Sequence, residues 1–195
     1  MVKRILAVLI GVVCLVGVSG CGGNPSVAAD VNGHVITEAQ VDQAVEAMRD
    51  LASQIGSELN LTSLRVTMLQ HCIVGAVLNQ TLAQVGVTIT DEERNEVWEQ
   101  NFGPMSSNGI QTEYPLWKDP RSREAISGFI DLNLVSWMVQ GGQLDGVALT
   151  DIIEQIPLTI NPRYGEFDSQ SLTLSVSGGK PAGSLAKPLF DTQPS

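Results

Sequence analysis

The sequence predicts a mainly α-helical protein, a bundle of about five helices with a short β pairing between an N-terminal hairpin and a closing C-terminal strand. Three observations support this fold class. Apolar residues recur at steps of three and four in several separate segments, which is typical of amphipathic helices. These segments begin at capping signals and end at glycine or proline. Short extended runs occur only near the two ends of the folded region.

The first predicted element is a hairpin over residues 27–37. Asn32 and Gly33 supply the two positive-φ positions of a tight turn. Thr37, followed three residues later by Gln40, forms the pattern of a capping box at the start of a helix. The apolar stripe of that first helix consists of Val41, Val45, Met48, Ala52 and Ile55.

The second and third helices are predicted over residues 62–85 and 91–102. The inward face of the longer one consists of Leu64, Met68, Ile73, Val77, Leu78 and Leu82. Thr90 and Glu93 form a second capping box, and acidic residues suit the positive end of a helix dipole. The acidic run at 91–93 therefore indicates helix capping rather than a metal site.

Residues 103–120 contain three prolines and are predicted to form an exposed loop. Two more helices are then predicted, over residues 122–139 and 149–156. The stripe of the first, expected to lie in the core, consists of Ile126, Ile130, Leu134, Trp137 and Met138. Residues 158–168 and 172–176 are predicted to be extended. The tail, 178–195, is rich in Gly, Pro, Ser and Ala and is predicted to be disordered.

The chain begins with a segment typical of a secretion signal. Lys3 and Arg4 precede an apolar run that is shorter than the roughly 20 residues of a transmembrane helix. The run ends in Val18-Ser19-Gly20-Cys21, which resembles a bacterial lipobox. In that family of signals a peptidase cuts before a cysteine that carries a diacylglycerol. We therefore predict a lipoprotein signal peptide over residues 1–20 and lipidation of Cys21.

Lipidation at Cys21 would determine where the protein resides. Two acyl chains anchor a protein stably in a membrane. Residues 21–27 would be a flexible tether, and the domain would be lipid-anchored on the extracytoplasmic side of the cell membrane. The alternative is an ordinary secretory signal cut near Ala28 or Ala29, with Cys21 discarded.

The charge and cysteine content narrow the set of partners. The net charge is −10 at pH 7, and removal of the leader would make it more negative. Such a surface disfavours nucleic acid and does not attract anionic lipid, so the lipid must anchor the chain. Cys14 lies in the leader and Cys21 would be acylated. Cys72 therefore remains alone, and no intrachain disulfide can form.

The residues offer no catalytic, metal or cofactor site. His71 and Cys72 are neighbours in a predicted helix and point about 100° apart, which is a poor arrangement for a nucleophile and its base. We predict that Cys72 is a small core residue and that His71 is partly exposed. Two histidines and one free cysteine do not make a usual zinc site. The sequence also lacks a phosphate-binding loop and a nucleophile elbow.

Three stretches resemble a known family in their order and separation. They are "VNGHVIT" before a capped helix, "GVTITDEE" after a long helix, and "INPRYGEFD" after the last helix. The first two resemble the N-terminal domain of SurA/PrsA-type foldases, and the third resembles the closing strand of secreted actinobacterial members of that group. The predicted domain covers residues 28–177.

The resemblance implies that the early strand and the closing strand pair and clamp the ends of the bundle. Residues around 31–36 would then pair beside 158–160. The apolar residues of these segments, Val31, Val35, Leu158 and Ile160, would be buried against the helices. Arg163 and Tyr164 would lie over neighbouring helices, and the alternative is that they touch a client polypeptide.

The resemblance also implies a chaperone that holds unfolded or newly exported polypeptides. Many family members add a parvulin domain, which catalyses prolyl isomerisation and needs on the order of 90 residues. Residues 103–120 cannot contain one, so no isomerase activity is expected. Two alternatives remain. The chain is an adaptor lipoprotein that docks one folded envelope partner, or a foldase whose isomerase is supplied in trans.

Tyr114 and Trp117 are candidate client-binding residues, because aromatic side chains on surface loops often anchor partners. Both lie in the proline-bordered stretch "EYPLWKDP". The preferred interpretation is that they fold back over the bundle, and client binding is the alternative.

Overall fold

The computed structural model describes residues 26–54, 59–106, 116–176 and 180–181. The helices are α1 (Glu38–Gln54), α2 (Leu61–Gln84), α3 (Asp91–Ser106), α4 (Arg123–Gln140) and α5 (Gly146–Glu154). The strands are β1 (Val27–Val31), β2 (His34–Thr37), β3 (Leu158–Ile160), β4 (Glu166–Asp168), β5 (Thr173–Val176) and β6 (Lys180–Pro181). The prediction of a mainly α-helical fold with a short β pairing is confirmed.

The centre of the bundle is α2, in which every residue from Met68 to Leu78 is buried. A helix that is apolar all round belongs in a core. By length and composition α2 could also cross a membrane, but 67% of its most apolar window is buried within the bundle. Packing inside the bundle accounts for its apolar character.

The crossing of α2 and α4 depends on two glycines. A Cβ atom on Gly128 would lie 2.1 Å from the carbonyl oxygen of His71, and one on Gly75 would lie 2.9 Å from the Cα atom of Gly128. Both distances are far inside van der Waals contact, and the opposing atoms belong to backbone. The two helices can therefore approach this closely only because neither position carries a side chain.

Both predicted capping boxes are present. The Gln40 N–H donates to Thr37 Oγ1 at 3.2 Å, and the Thr37 N–H donates to Gln40 Oε1 at 2.7 Å. Glu93 and Thr90 make the same pair of bonds at the start of α3. These bonds satisfy backbone N–H groups that the first helical turn leaves without partners.

The last helix is shifted relative to its predicted span of 149–156. Asp145 accepts hydrogen bonds from the backbone N–H groups of Val147 and Ala148, so α5 begins at Gly146. Aspartate is a favoured N-cap residue, and this signal lies four residues before the predicted start.

The predicted loop at 103–120 is wrong in part. α3 continues through Gly103 and Pro104 to Ser106, and residues Leu116–Lys118 form a 3-10 turn. Pro104 lies in the last turn of α3, where its missing N–H removes only one intrahelical hydrogen bond. Residues 107–115, which include Tyr114, lie outside the described residues.

The first sheet joins the two ends of the domain, in the order β2-β1-β3 with antiparallel pairing throughout. Its hairpin turn uses positive φ angles at Asn32 (49°) and Gly33 (88°), as predicted. The Asn32 N–H donates to the Pro157 carbonyl at 2.7 Å, and the Asn161 N–H donates to the Ala28 carbonyl at 2.9 Å. The pairing of the hairpin with the closing strand is confirmed.

The register refines that prediction and corrects one residue. The closing strand pairs with the first arm of the hairpin, so β2 is left at the far edge of the sheet. Val31 is fully buried and Leu158 and Ile160 are half-buried, but Val35 is 43% exposed. The predicted burial of Val35 is wrong because β2 lies at this edge with Val35 directed to solvent.

A second, smaller sheet has the order β4-β5-β6. Leu174 in β5 and Leu172 directly before that strand are buried in the core. Lys180 and Pro181 pair with β5, so the predicted disordered tail differs from the structure at these two residues. The rest of the tail, the leader, Cys21 and the tether up to residue 25 lie outside the described residues.

Two burial predictions on the helices are wrong. Trp137 is 44% exposed, because burial along α4 ends at Val135 and the apolar stripe continues beyond the core. His71 is 7% exposed rather than partly exposed, because α2 is enclosed on all sides at this level. Cys72, at 1% exposure, is the core residue that was predicted.

Candidate functional site

A cleft of about 490 Å³ opens beside the crossing of α2 and α4. At the crossing it is lined by four small residues, Gly75, Ala76, Ser127 and Gly128. Because their side chains are small, backbone and methyl groups form this part of the surface. The close helix approach that requires glycine therefore also creates the cleft.

One border of the cleft is formed by His34 of β2 and Glu124 of α4. The distance from His34 Nε2 to Glu124 Oε1 is 2.7 Å. Gln40 donates from Nε2 to the other oxygen, Glu124 Oε2, at 3.0 Å. Both carboxylate oxygens of Glu124 are thus bonded, and they connect the hairpin and α1 to α4.

Arg94 also lines the cleft, and it is held by a buried carboxylate. Its Nε and Nη2 atoms donate to the two oxygens of Asp131 at 2.7 and 3.0 Å, and Asp131 is 1% exposed. Burial raises the pKa of Asp131 more than its bonds to Arg94 lower it. The same bonds raise the pKa of Arg94. Arg94 therefore fixes α3 to α4 and keeps little capacity for a ligand.

Three other side chains at the cleft can form hydrogen bonds with a ligand. Arg123 is 58% exposed and makes a single 3.4 Å contact, with Asp91. Asn79 is exposed and Ser127 is half-buried. The side chains of Asn79 and Ser127 make no hydrogen bond within the described part of the chain. An amide, a hydroxyl and a guanidinium are thus available to bind carbonyl or N–H groups of a ligand.

The closing segment carries a cluster of charged and phenolic groups. Tyr164 donates from its hydroxyl to Glu38 Oε2 at 2.6 Å and accepts from Arg65 Nε at 2.8 Å. Arg65 Nη2 donates to Glu38 Oε2 at 2.6 Å, and Arg163 forms an ion pair with the same carboxylate. Tyr164 is 3% exposed. The prediction that Arg163 and Tyr164 lie over neighbouring helices is confirmed.

The electrostatics of this cluster favour a charged Glu38. Burial raises the pKa of Glu38, but hydrogen bonds from Tyr164, Arg65 and Arg163 outweigh burial and lower the pKa below its ordinary value. Hydrogen bonds to the charged form of a carboxyl act in this direction. The closing segment is therefore tied to the N-terminus of α1 and to α2 through an ionised carboxylate.

The two residues of the bundle centre that could carry chemistry are inert in this fold. His71 packs against Phe129 with ring centroids 5.3 Å apart, and burial lowers its pKa to about 4. Burial raises the pKa of the Cys72 thiol. A neutral thiol in the core is a poor nucleophile. Among the described residues there is no group of three or more His, Cys, Asp or Glu side chains placed to bind a metal ion.

The candidate aromatic residues are not brought together at the cleft. Trp117 is 0% exposed and folds into the core, with Lys118 Nζ 4.6 Å from the centre of its ring. Trp117 thus folds back into the bundle, which was the preferred interpretation over client binding. In this conformation Trp117 exposes no surface to a client. The sequence carries no signal for Asn79, Arg123 and Ser127, because nothing in their local sequence distinguishes them before the helices cross.

The fold is a helical domain that carries an open cleft and is clamped by a sheet joining its two ends. A family model described as the SurA-like N-terminal domain matches residues 1–111, more than half of the chain. The chain belongs to this family, which is of the chaperone type. No curated protein and no solved structure matches the chain significantly.

Proposed function

We propose that this protein is a membrane-tethered extracytoplasmic chaperone that binds unfolded or newly exported polypeptides without a cofactor or a covalent step. The observation that carries the proposal is the open cleft at the α2–α4 crossing of a SurA-like domain. Its size, about 490 Å³, suits a short stretch of chain, since ligand pockets commonly measure about 300–1,000 Å³.

The groups around the cleft suit a ligand recognised through its backbone. Asn79, Ser127 and Arg123 together offer donors and acceptors for peptide N–H and carbonyl groups. Every polypeptide presents those groups, whatever its sequence. The small residues at the crossing let an extended chain approach the helices closely. Such recognition is tolerant of sequence, which a chaperone for many clients requires.

The proposed membrane tether is supported by the lipobox-like order Val18-Ser19-Gly20-Cys21 behind a basic and apolar leader. A Cys21→Ala variant should be released from membranes or remain unprocessed, because it lacks the sulfur that would carry the lipid. Fractionation and intact-mass measurement check this. A variant that is processed and fractionates like the wild type would show that Cys21 is not the anchor.

Aggregation assays with a blocked cleft test polypeptide binding. Asn79→Trp places a large side chain at the cleft, whereas Gln84→Trp places the same side chain on exposed surface of the same helix away from it. We expect the first variant to need about tenfold more protein to suppress aggregation of two unrelated unfolded clients, and the second to act like the wild type.

Two outcomes would contradict the proposal. One is equal suppression by the two tryptophan variants, which would remove the cleft from client binding. The other is no suppression by the wild type together with recovery of one dominant folded partner, which would favour the adaptor alternative.

We propose that the chain itself has no prolyl isomerase activity. In a standard Xaa-Pro peptide assay on isomerase-free preparations, we expect cis–trans isomerisation at the uncatalysed background rate. Acceleration that persists in independent preparations would overturn this part.

A further inference from the structure

The strand β3 has an edge that the sheet does not use. In the antiparallel pairing of β1 and β3, Asp30 lies opposite Thr159, with Val31 opposite Leu158 and Ala29 opposite Ile160. The bonds from Asn32 to Pro157 and from Asn161 to Ala28 show which residue pairs exchange hydrogen bonds. Every second pair does so in an antiparallel ladder, so the next such pair is Asp30 with Thr159.

The backbone groups of Leu158 and Ile160 therefore point away from β1. Both residues belong to the pairs that do not exchange hydrogen bonds. Two N–H groups and two carbonyl groups thus face outward, and none of the four bonds to a group within the described part of the chain. Unpaired groups of this kind are a template for the addition of an extended chain.

The other edge of the same sheet is less available. On β2, Val35 and Thr37 have their backbone groups on the outer side, by the same alternation. The Thr37 N–H is already bonded to Gln40 in the capping box, and α1 begins at the next residue. The outer edge of β2 thus offers one residue, whereas the outer edge of β3 offers two in succession.

A pocket of about 200 Å³ borders β3, and polar atoms form more of its exposed surface than apolar atoms do. Leu158 itself contributes to the lining, together with Val77, Ile153, Ile156 and Phe167. An apolar cavity of about 150 Å³ is large enough to hold benzene, so this pocket has room for one leucine-sized side chain. Glu154, which is exposed, is the charged residue in the lining. The carboxylate of Glu154 favours a positively charged residue next to the side chain that enters the pocket.

We propose that the outer edge of β3 binds an extended segment of a client polypeptide as an additional strand. The segment places one side chain of about leucine size in the pocket and a lysine or arginine beside Glu154. Backbone bonds supply the affinity and the pocket supplies the preference, as in other cases of strand addition. This inference rests on the proposed binding of polypeptides, and it assigns a second contact apart from the α2–α4 cleft.

Site-resolved hydrogen exchange on the full chain tests it. The probe is an unstructured octapeptide, blocked at both ends, that contains one leucine and one lysine. We expect it to slow exchange of the Leu158 and Ile160 amides by about tenfold or more and to leave the Val35 amide unchanged. Methylating the backbone nitrogens of the peptide on its bonding side should weaken binding by about tenfold, because two donors are lost.

Matched proline substitutions test the edge from the side of the protein. Ile160→Pro removes an outward N–H and leaves the bonds between β1 and β3 intact, and Val35→Pro does the same at the opposite edge. We expect only Ile160→Pro to reduce affinity for the octapeptide. Glu154→Gln should reduce it roughly threefold, and this loss should disappear when glutamine replaces the peptide lysine.

The outcomes separate this inference from the proposed function. Unchanged exchange at Leu158 and Ile160 under saturating octapeptide overturns the edge site, while the Asn79→Trp comparison still decides whether the cleft binds clients. Tighter octapeptide binding after removal of residues 182–195 would show that the chain's own tail occupies the edge. Concentration-dependent dimerisation that Ile160→Pro abolishes would show that a second copy does. Both would overturn the assignment to a client.

Discussion

The α2–α4 crossing and the closing segment hold the domain together by different physical means. At the crossing, backbone packs on backbone between Gly75 and Gly128, and most of the side chains that α2 and α4 bury are apolar. At the closing segment, a three-residue strand and an ion cluster around Glu38 carry the contact. The first depends on shape and the second on charge and hydrogen bonding.

This difference indicates how each region should respond to change. Close packing of backbone does not tolerate added volume, because the opposing atoms cannot move aside. A cluster around a carboxylate tolerates changes in volume but depends on protonation. The two proposed client contacts lie one in each region. The crossing forms the cleft, and the closing segment provides the free edge of β3.

Removing the closing segment should have the largest effect. A chain that ends at Pro157 lacks β3, the partners Arg163 and Tyr164 of Glu38, and the buried residue Leu174. We expect it to lose its cooperative thermal transition, because the hairpin that remains is marginal without its partner strand. The matched control ends at residue 177 and should melt close to the full chain. Equal melting of the two truncations would contradict the closing role of β3.

Gly128→Ala should have the next largest effect. The new Cβ would lie 2.1 Å from the His71 carbonyl oxygen, so α2 and α4 must separate. We expect the free energy of unfolding to fall by about 3 kcal/mol, at the upper end for overpacked cores. Ser127→Ala, one residue earlier on the same helix, is the control and should stay near the wild type in urea titrations. A stable Gly128→Ala variant would show that the crossing is not tightly packed.

Acidification should weaken the two regions in separate ranges of pH. The pKa of His71 falls from 6.5 to about 4 on folding, so the unfolded chain binds the proton first and stability decreases as the pH falls from 6.5 towards 4. That loss is about 2 kcal/mol between pH 7 and pH 5. Glu38 has a folded pKa below 4.5, so its contribution is present above 4.5 and is lost as the pH falls below it.

Urea unfolding as a function of pH distinguishes the two groups. His71→Leu should flatten the stability curve between pH 6.5 and 4, whereas Glu38→Gln should flatten it only below about pH 4.5. A wild-type curve that stays level down to pH 4 would mean that His71 is not held neutral in the core.

Tyr164→Phe should have the smallest effect. It removes one hydroxyl that donates to Glu38 and accepts from Arg65, at a cost of about 1 kcal/mol in thermal or urea unfolding. Asp42→Asn alters an exposed partner of Arg65 in the same cluster, and exposed ion pairs contribute little. If the two variants lose equal stability, the hydrogen bonds of the buried Tyr164 hydroxyl contribute no more than an exposed ion pair does.

Features encoded by neighbouring residues could be predicted from the sequence, whereas features that depend on how the helices pack could not. Capping boxes, the Asn32-Gly33 turn and the closing strand are encoded by neighbouring residues or by a short motif, and all three are present in the structure. The burial of His71 and the exposure of Trp137 depend on how far each helix overlaps its neighbours. Local periodicity does not contain that information. The cleft was missed for the same reason, since Asn79 and Ser127 meet only when α2 and α4 cross.

Our central proposal is that the α2–α4 cleft binds many different polypeptides. The most direct measurement is photocrosslinking in intact cells, with a photoreactive residue at position 79 in the cleft or at position 84 outside it, followed by mass spectrometry. We expect position 79 to capture many unrelated exported polypeptides and position 84 to capture few. Capture of a single folded partner at position 79, or equal capture at both positions, would contradict the account.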